Sequence, residues 1–236
     1  MQKGWLRLPF LCLLLCCCSV TVVAGQPDWS EEKVGRLAVK ADRAATQKNW
    51  TKAIRYGEEM LEGASALYGE TDEDYLNRLK TLNRYYDKAG RLLEVSDQVI
   101  KAYQLSKTSL GPRHHISELS RLLYYKLLIA KKDYSAAVVV VQENIALLSD
   151  SEDDKFKRLH YMEQLFSLYG LLQQRSLEEQ TLLEMLDLSK ELMGPDSAEN
   201  MPIILNLANS YCRQNKVEAF NALMKLYDLK YTCPFY

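Results

Sequence analysis

Glycines that recur at a fixed interval constrain the fold of this 236-residue chain more than any other feature. Gly69 and Gly111 lie 42 residues apart, and Gly194 follows 83 residues later, close to two further intervals. Gly111 and Gly194 are each followed by proline, a pattern typical of helix ends, where glycine adopts the conformation that stops a helix. A repeat of this period indicates a solenoid, in which each unit packs against its neighbours.

A second set of breakers repeats with the same period. Three clear copies are followed by two weaker ones: Lys48-Asn49-Trp50, Gly90-Arg91-Leu92, Lys132-Asp133-Tyr134, Arg175-Ser176-Leu177 and Asn215-Lys216-Val217. Between breakers, apolar residues recur at three- and four-residue steps, as Leu79, Leu82 and Tyr86 do, which predicts helices with one apolar face. The stretch from Leu76 to Ser117 is therefore one antiparallel helical hairpin, and residues 30–232 contain five such units.

A run of valines at residues 138–141 is the one segment that also suits a strand. It lies within residues 134–148, a segment that is too long for a typical strand and is apolar at helical spacing, so we interpret it as a buried helix. The sequence thus predicts an all-α domain with ten main helices and no sheet.

The repeated pattern resembles the tetratricopeptide repeat in its 42-residue, kinesin-light-chain-like form. The closest matches are Leu207-Ala208, Tyr211, Gln214 and Val217-Glu218-Ala219 in the last unit and Met193-Gly194-Pro195-Asp196 before it. The resemblance implies a right-handed α-solenoid of about five antiparallel helix pairs, with the first helix of each pair lining a concave groove. It also implies binding of a protein or peptide rather than catalysis. Two units depart from the pattern: the third ends without Gly-Pro, and the fourth has Gln180 where a small residue is expected.

The first 25 residues have the layout of a secretory signal peptide. Lys3 and Arg7 precede an uncharged stretch, and Val22 and Ala24 suit a cleavage site before Gly25. We therefore predict a signal peptide at 1–25, a repeat domain at 26–236, and a secreted or periplasmic location. An uncleaved membrane anchor, or a lipid anchor at residues 16–18, remains an alternative. The sequence Asn49-Trp50-Thr51 would accept an N-linked glycan only in a eukaryotic host.

Sequence motifs for catalysis or metal binding are lacking. A net charge of −1 argues against nucleic-acid binding, which needs a basic excess. The chain has no glycine-rich phosphate loop, Gly-x-Ser-x-Gly elbow or Cys–His pairing, so we predict no catalytic residues and no cofactor. The adjacent His114 and His115 point apart on a helix or turn, and no third ligand follows at usable spacing, so we predict no metal site.

The predicted groove residues recur four apart on the first helices and align between units. They are Lys80, Arg84, Lys126, Tyr169, Asn209 and Arg213. A basic cluster of Lys80, Arg84 and Lys126 would suit an acidic peptide or a chain-terminal carboxylate. The alternative is that these are ordinary solvated charges. Tyr86 and Tyr125 occupy equivalent places in successive first helices, and we interpret both as packing between hairpins.

A second functional class also stays open, a structural or assembly subunit that stacks on other proteins through its end hairpin or tail. It differs from a binding scaffold in one testable respect. A scaffold should bury its terminal apolar faces, whereas an assembly subunit should expose an apolar patch on the last hairpin.

Two cysteines, Cys212 and Cys233, remain outside the predicted signal peptide. Cys212 lies near the end of a first helix, and Cys233 lies beyond the far end of the antiparallel second helix. At about 1.5 Å per residue the two are roughly 20 Å apart along the hairpin, whereas a disulfide needs Cα atoms within about 7 Å. We therefore expect no intramolecular disulfide.

The basic cluster gives a first testable prediction. Reversing both charges, with Arg84→Glu and Lys126→Glu together, should abolish binding of an acidic partner and leave the melting temperature unchanged, because both positions are predicted to be at the surface. Binding titrations and thermal melts of the double variant measure both effects. Partner affinity that survives the double reversal would show that the cluster is not the binding site.

Overall fold

The computed structural model describes residues 28–233, and this part of the chain is all-helical. Its ten α-helices are α1 (Glu31–Thr46), α2 (Trp50–Tyr68), α3 (Glu73–Lys88), α4 (Ser96–Leu110), α5 (His115–Lys131), α6 (Tyr134–Ala146), α7 (Glu152–Leu171), α8 (Arg175–Met193), α9 (Met201–Arg213) and α10 (Val217–Leu226). Short 3₁₀ turns, Leu92–Val95 and Ala198–Asn200, precede α4 and α9. No strand occurs between residues 28 and 233, so the prediction of an all-α solenoid of five helix pairs is confirmed.

The predicted signal peptide, residues 1–25, lies outside the described residues. Within residues 28–233, no helix combines the length and the apolar character needed to cross a membrane.

The helices stack as a single row of pairs. Each second helix packs against its own first helix and against the first helix of the next unit, and α3 also contacts α5 directly. The core is accordingly a series of small apolar clusters. One cluster near the start contains Val34, Leu37 and Met60, and the last contains residues of α7, α8, α9 and α10.

The turn inside each helix pair has the same backbone geometry in all five units. One residue per turn has a positive φ, between 55° and 72°, and these residues are Lys48, Gly90, Lys132, Gln173 and Asn215. In each turn the next amide donates to a carbonyl five residues earlier, as Asn49 does to Ala44 at 2.9 Å. This hydrogen bond satisfies a carbonyl at the helix end, which is the usual role of such a left-handed cap. The weak fourth copy of the breaker therefore makes the same turn as the clear copies.

The turns between units follow the glycine repeat, except in the third unit. Gly69, Gly111 and Gly194 have φ values of +80°, +88° and +93°, a conformation that side chains rarely adopt. The third unit has no such glycine. Its second helix, α6, ends after 13 residues, whereas α2 and α8 have 19 each, and residues 147–151 lead directly into α7.

The second helix of the second unit begins differently from its counterparts. Asn49 and Asp133 each cap the following helix with a side-chain oxygen, but Arg91 at the equivalent position makes no such hydrogen bond. Arginine has no acceptor atom to offer the free amides. The second unit begins this helix with the 3₁₀ segment Leu92–Val95. Gln174 and Lys216, at the equivalent positions of the fourth and fifth units, also make no side-chain cap, yet α8 and α10 begin directly, so the missing cap alone does not account for the 3₁₀ turn.

The expectation that Cys212 and Cys233 stay unpaired is wrong, because they form a disulfide with a Cα–Cα distance of 5.6 Å. The last helix, α10, has only 10 residues and ends in another left-handed turn, at Asp228 with φ +50°. There the Leu229 amide donates to the Met224 carbonyl at 2.9 Å, and the chain reverses direction. Five extended residues span about 16 Å, which is enough to run back along a helix of about 15 Å. We call residues 229–233 the strap.

A matched pair of glycine substitutions tests the packing at the first helix pair. A Cβ atom on Gly63 would lie 2.6 Å from both Trp29 and Val34, whereas a Cβ on Gly35 would meet nothing within 4 Å. Gly63→Ala should therefore destabilise the protein by about 1–3 kcal/mol through overpacking. Gly35→Ala should stabilise it by about 0.5–1 kcal/mol, because alanine favours the helix. Urea denaturation of both variants measures the difference, and equal effects would contradict the packing described here.

Candidate functional site

A groove lies between α5 and α7, on the face formed by the first helices. It has a volume of ≈ 640 Å³ and is closed at one end by the connection between α6 and α7. Helix α5 contributes Glu118, Leu119, Leu122 and Tyr125, and α7 contributes Asp154, Lys157, Tyr161 and Gln164, in both cases mostly at helical spacing on one face. We call this site the α5–α7 groove.

The groove lies beside the irregular third unit. Helix α3 contacts α5 directly, whereas α7 packs chiefly on α6 and on its own partner α8. The connection after the short α6 contains no Gly-Pro, and its half-buried Leu147 and Leu148 lie at the end of the groove. This connection therefore closes one end of the cleft between α5 and α7.

The floor of the α5–α7 groove is apolar and accessible. Leu122 is 49% exposed, and Leu119, Tyr125 and Tyr161 are half-buried beside it. Burial raises the pKa of the Tyr125 hydroxyl above its usual value, so this ring is neutral at physiological pH. An accessible leucine flanked by two tyrosines offers the kind of surface that binds apolar anchor residues of a partner.

Charged groups of both signs form the rim. Arg113, His115 and Glu118 are exposed where α5 begins. On the opposite side Lys157 Nζ lies 2.8 Å from Asp154 Oδ1. Asp154 also accepts hydrogen bonds from the amide and the hydroxyl of Ser149. The hydrogen bond from Lys157, followed by those from Ser149, holds the pKa of the Asp154 carboxyl well below its usual range.

An ionic network around buried Arg121 lies at the closed end of the groove. The Arg121 side chain is 5% exposed, and it donates to Asn144 Oδ1 and, at 3.0 Å, to the Pro112 carbonyl. Glu143 accepts from the Tyr103 hydroxyl and from Lys107 Nζ at 2.9 Å, and it lies 3.5 Å from Arg121. The network therefore joins α4, α5 and α6 at the point where the third unit is irregular.

The Glu143 carboxyl has a lowered pKa. Burial on its own acts in the opposite direction and raises the pKa. The hydrogen bonds from Tyr103 and Lys107, together with the charges of Lys107 and Arg121, outweigh that effect. The ionised carboxylate is thus the form that the folded protein prefers.

The structure brings three of the predicted groove residues near one another on α3 and α5. Lys80 is only 6% exposed and donates to Asn77 at 2.6 Å, and burial, followed by the charge of Arg84, lowers its pKa. Arg84 is exposed. Lys126 is also exposed and pairs with Asp87 of α3 at 2.7 Å.

The other three predicted groove residues contact different parts of the molecule. Tyr169 is buried, and its hydroxyl accepts from Gln142 at 3.3 Å. Asn209 accepts a hydrogen bond from Tyr231 of the strap, and Arg213 forms an ion pair with buried Glu178 of α8. The six residues therefore do not form one continuous surface patch.

The sequence reasoning missed the apolar residues of the α5–α7 groove. Lys126 was predicted to line the groove because it lies 42 residues after Arg84. Leu122 lies 42 residues after Lys80, so the same alignment places Leu122 on the same face. Tyr86 is buried, and its hydroxyl donates to Glu58 at 2.6 Å. Tyr125 lies 39 residues later, which is not the 42-residue period. It packs against the apolar cluster of α5, α6 and α7 and also lines the groove, so the packing interpretation holds for both tyrosines.

No family of known proteins and no curated protein matches this chain at the level of sequence. Solved structures do match. Crystallised TPR-like repeats of a kinesin light chain from Podosopora anserina share 15% identity, with a TM-score of 0.61 over 83% of this chain and 94% of that one. BtubC (BKLC) from P. vanneervenii shares 16%, with a TM-score of 0.55 over 86% and 84% of the two chains. MamA shares 15%, with a TM-score of 0.50 over 86% and 100%.

The structural neighbours are TPR-like repeat proteins. At these identities the likeness concerns the fold alone. The TPR-like fold explains why the first helices share one face. Among residues 28–233, no group of three or more His, Cys, Asp or Glu side chains is placed to hold a metal ion.

The network around Glu143 predicts a change in stability with pH. Because the folded pKa lies below the ordinary value of about 4.3, the stabilisation is complete above that value and is lost as the pH falls through the folded pKa. Glu143→Gln should therefore cost roughly 1–2 kcal/mol at neutral pH, and the difference from wild type should shrink on acidification.

Urea denaturation at pH 7 and near pH 3 measures this effect. Glu191→Gln is the matched control, because Glu191 pairs with Lys155 in an ion pair whose carboxylate is 57% exposed and should change stability little. A constant difference between wild type and Glu143→Gln at all pH values would contradict the assignment.

Proposed function

We propose that this chain is a non-catalytic protein–protein interaction scaffold that binds a peptide or protein segment in the α5–α7 groove. The observation that carries the proposal is the accessible apolar floor around Leu122, set between two first helices and surrounded by charged residues. TPR-like repeat folds generally mediate protein–protein interaction, which supports the same function.

The partner segment should present one aliphatic or aromatic anchor and one acidic residue. The anchor would lie against Leu119, Leu122 and Tyr125, and burial of one such side chain provides about 1.5–3 kcal/mol. The acidic residue would meet Arg113 or His115 at the rim, or Arg84 farther along the first helices. The carboxylates Glu118 and Asp154 restrict where a second acidic residue could fit.

We also propose that the protein acts outside the cytoplasm. The layout of residues 1–25 is that of a signal peptide, and the Cys212–Cys233 disulfide suits an oxidising compartment. Cleavage of the leader would release a free scaffold, whereas retention would give a membrane-anchored adaptor.

The assembly-subunit alternative concerns the last helix pair. Val217 is 46% exposed and Leu226 is 72% exposed on α10, which favours a contact surface there. The strap, however, packs Leu229 and Tyr231 against the cluster that includes Leu223 and Met224. The end of the solenoid is thus partly capped, which supports the scaffold as the first choice.

Peptide selection tests the scaffold proposal and requires no identified partner. Displayed random peptides selected on the wild-type protein should share an apolar anchor and an acidic residue. Their affinity should fall at least about tenfold for Leu122→Asp, because the variant places a charge where the anchor must be buried. Val139→Asp on α6 is the matched control, since Val139 is 62% exposed outside the groove, and it should bind like wild type.

Fluorescence titration of each selected peptide against the three proteins gives the result. Peptides that bind Leu122→Asp and wild type equally would place the binding site elsewhere. Failure to select any peptide, with folded protein confirmed by circular dichroism, would contradict the scaffold function itself.

A further inference from the structure

The turn between α1 and α2 contains a motif that the scaffold function does not use. Asn49-Trp50-Thr51 is the one place in the chain where asparagine is followed by a residue other than proline and then by serine or threonine. This is the acceptor sequence for an N-linked glycan, which is attached to the side-chain amide nitrogen at the protein surface. The position of Asn49 in the fold decides whether the folded protein can carry such a glycan.

Asn49 is exposed, and only the oxygen of its side-chain amide serves the fold. Asn49 Oδ1 accepts from the Lys52 amide at 3.2 Å and so caps the start of α2. Within residues 28–233 the nitrogen Nδ2 has no hydrogen-bond partner, and the Thr51 side chain is exposed as well. A sugar on Nδ2 leaves Oδ1 available to the Lys52 amide, so the turn accepts the glycan without losing its cap.

The equivalent turn of the third unit shows that the cap alone does not require asparagine. There Asp133 follows a left-handed residue, as Asn49 does, and accepts from the Ala136 amide at 3.1 Å. Residues 133–135, Asp-Tyr-Ser, repeat the polar, aromatic, hydroxyl order of the first turn with the same pattern of exposure. Aspartate and asparagine cap a helix about equally well, but only asparagine has a nitrogen to which a sugar can be attached.

We propose that Asn49 carries an N-linked glycan when the chain is exported in a eukaryotic host. The inference rests on one part of the proposed function, namely that the repeat domain lies outside the cytoplasm. It does not depend on the α5–α7 groove. The glycan is expected on the folded protein at a single position, since no second acceptor sequence occurs in the chain.

The predicted leader places the domain on the correct side of the membrane whether it is cleaved or retained. Lys3 and Arg7 precede the uncharged stretch, and a basic flank of this kind favours a cytoplasmic N-terminus. The repeat domain then lies across the membrane in both cases. The Cys212–Cys233 disulfide suits the same oxidising compartment.

Glycan transfer forms one bond and breaks one. Asn49 Nδ2 attacks C1 of the first sugar of a lipid-diphosphate-linked oligosaccharide, which the host supplies. The N–C1 bond forms, the bond between C1 and the diphosphate oxygen breaks, and the lipid diphosphate leaves with the electron pair. One amide proton passes to a base of the host transferase, and the other stays on Nδ2. No oxidant or reductant takes part.

The glycan and the α5–α7 groove lie at different edges of the solenoid. Asn49 lies where a first helix ends and its second helix begins. The groove is lined mainly by the starting portions of α5 and α7, beside the connection between α6 and α7. A glycan on Asn49 therefore shields the turn of the first unit and leaves the groove open to a partner segment.

Expression of the full chain in cultured eukaryotic cells tests the proposal. Protein from the medium and from the membrane fraction should lose mass on treatment with peptide N-glycosidase, and peptide mapping should find aspartate at position 49, the product of that enzyme. Thr51→Ala should abolish the loss of mass, and Thr51→Ser should retain it. Asn49→Asp should lack the glycan but keep the cap, so it should melt at the same temperature as enzyme-treated wild type, with which it shares its sequence.

Asp133→Asn is the matched control, because it supplies the missing nitrogen in the equivalent turn and should add a second glycan. An exported chain without a glycan at Asn49 would overturn the inference and leave the export proposal intact. A chain found only in the cytosol would contradict export and this inference together. A loss of mass that persists in Asn49→Asp would overturn the assignment to Asn49.

Discussion

The structure depends on one repeated contact, the burial of each second helix between its own first helix and the first helix of the next unit. Within residues 28–233 no helix is buried in one common core, because the apolar residues are divided among separate clusters along the row. Five nearly identical turns keep the two helices of each pair in register, and only one of them uses glycine at the left-handed position. Lys48, Lys132 and Gln173 are therefore held in a conformation that costs each of them roughly 1–2 kcal/mol, whereas Asn215 adopts it more easily.

The candidate site lies beside the irregular third unit. There α6 is short, and its connection to α7 lacks the glycine turn found between other units. This connection forms the closed end of the α5–α7 groove. Buried Arg121 and half-buried Glu143 join α5 and α6 at this end of the groove.

The sequence predicted the architecture well, since the period and the breakers specify local turns that the structure repeats. Residues 138–141 suit either a strand or a helix, and the length of their segment correctly predicted a helix. The candidate site was harder to predict. Periodic alignment assigned Lys80 to an open groove, but the direct contact between α3 and α5 buries it, whereas the equivalent Leu122 is accessible. The disulfide was not predicted because the distance between the two cysteines was calculated as if α10 continued as a helix to Cys233, whereas α10 ends at Leu226. Nothing in the residues around Asp228 marks a left-handed turn as plainly as glycine would.

The disulfide also determines how a pulling force would travel through the molecule. Residues 212–233 form a covalently closed loop that contains all of α10. Tension applied beyond residue 233 crosses the sulfur–sulfur bond and reaches the chain at Cys212, within α9. Helix α10 carries none of this load and cannot be the first to unfold. Extension must therefore begin by separating α9 from α8. In the disulfide-bonded protein, mechanical unfolding from this end therefore starts at the interface held by Glu178 and Arg213, one helix farther into the solenoid.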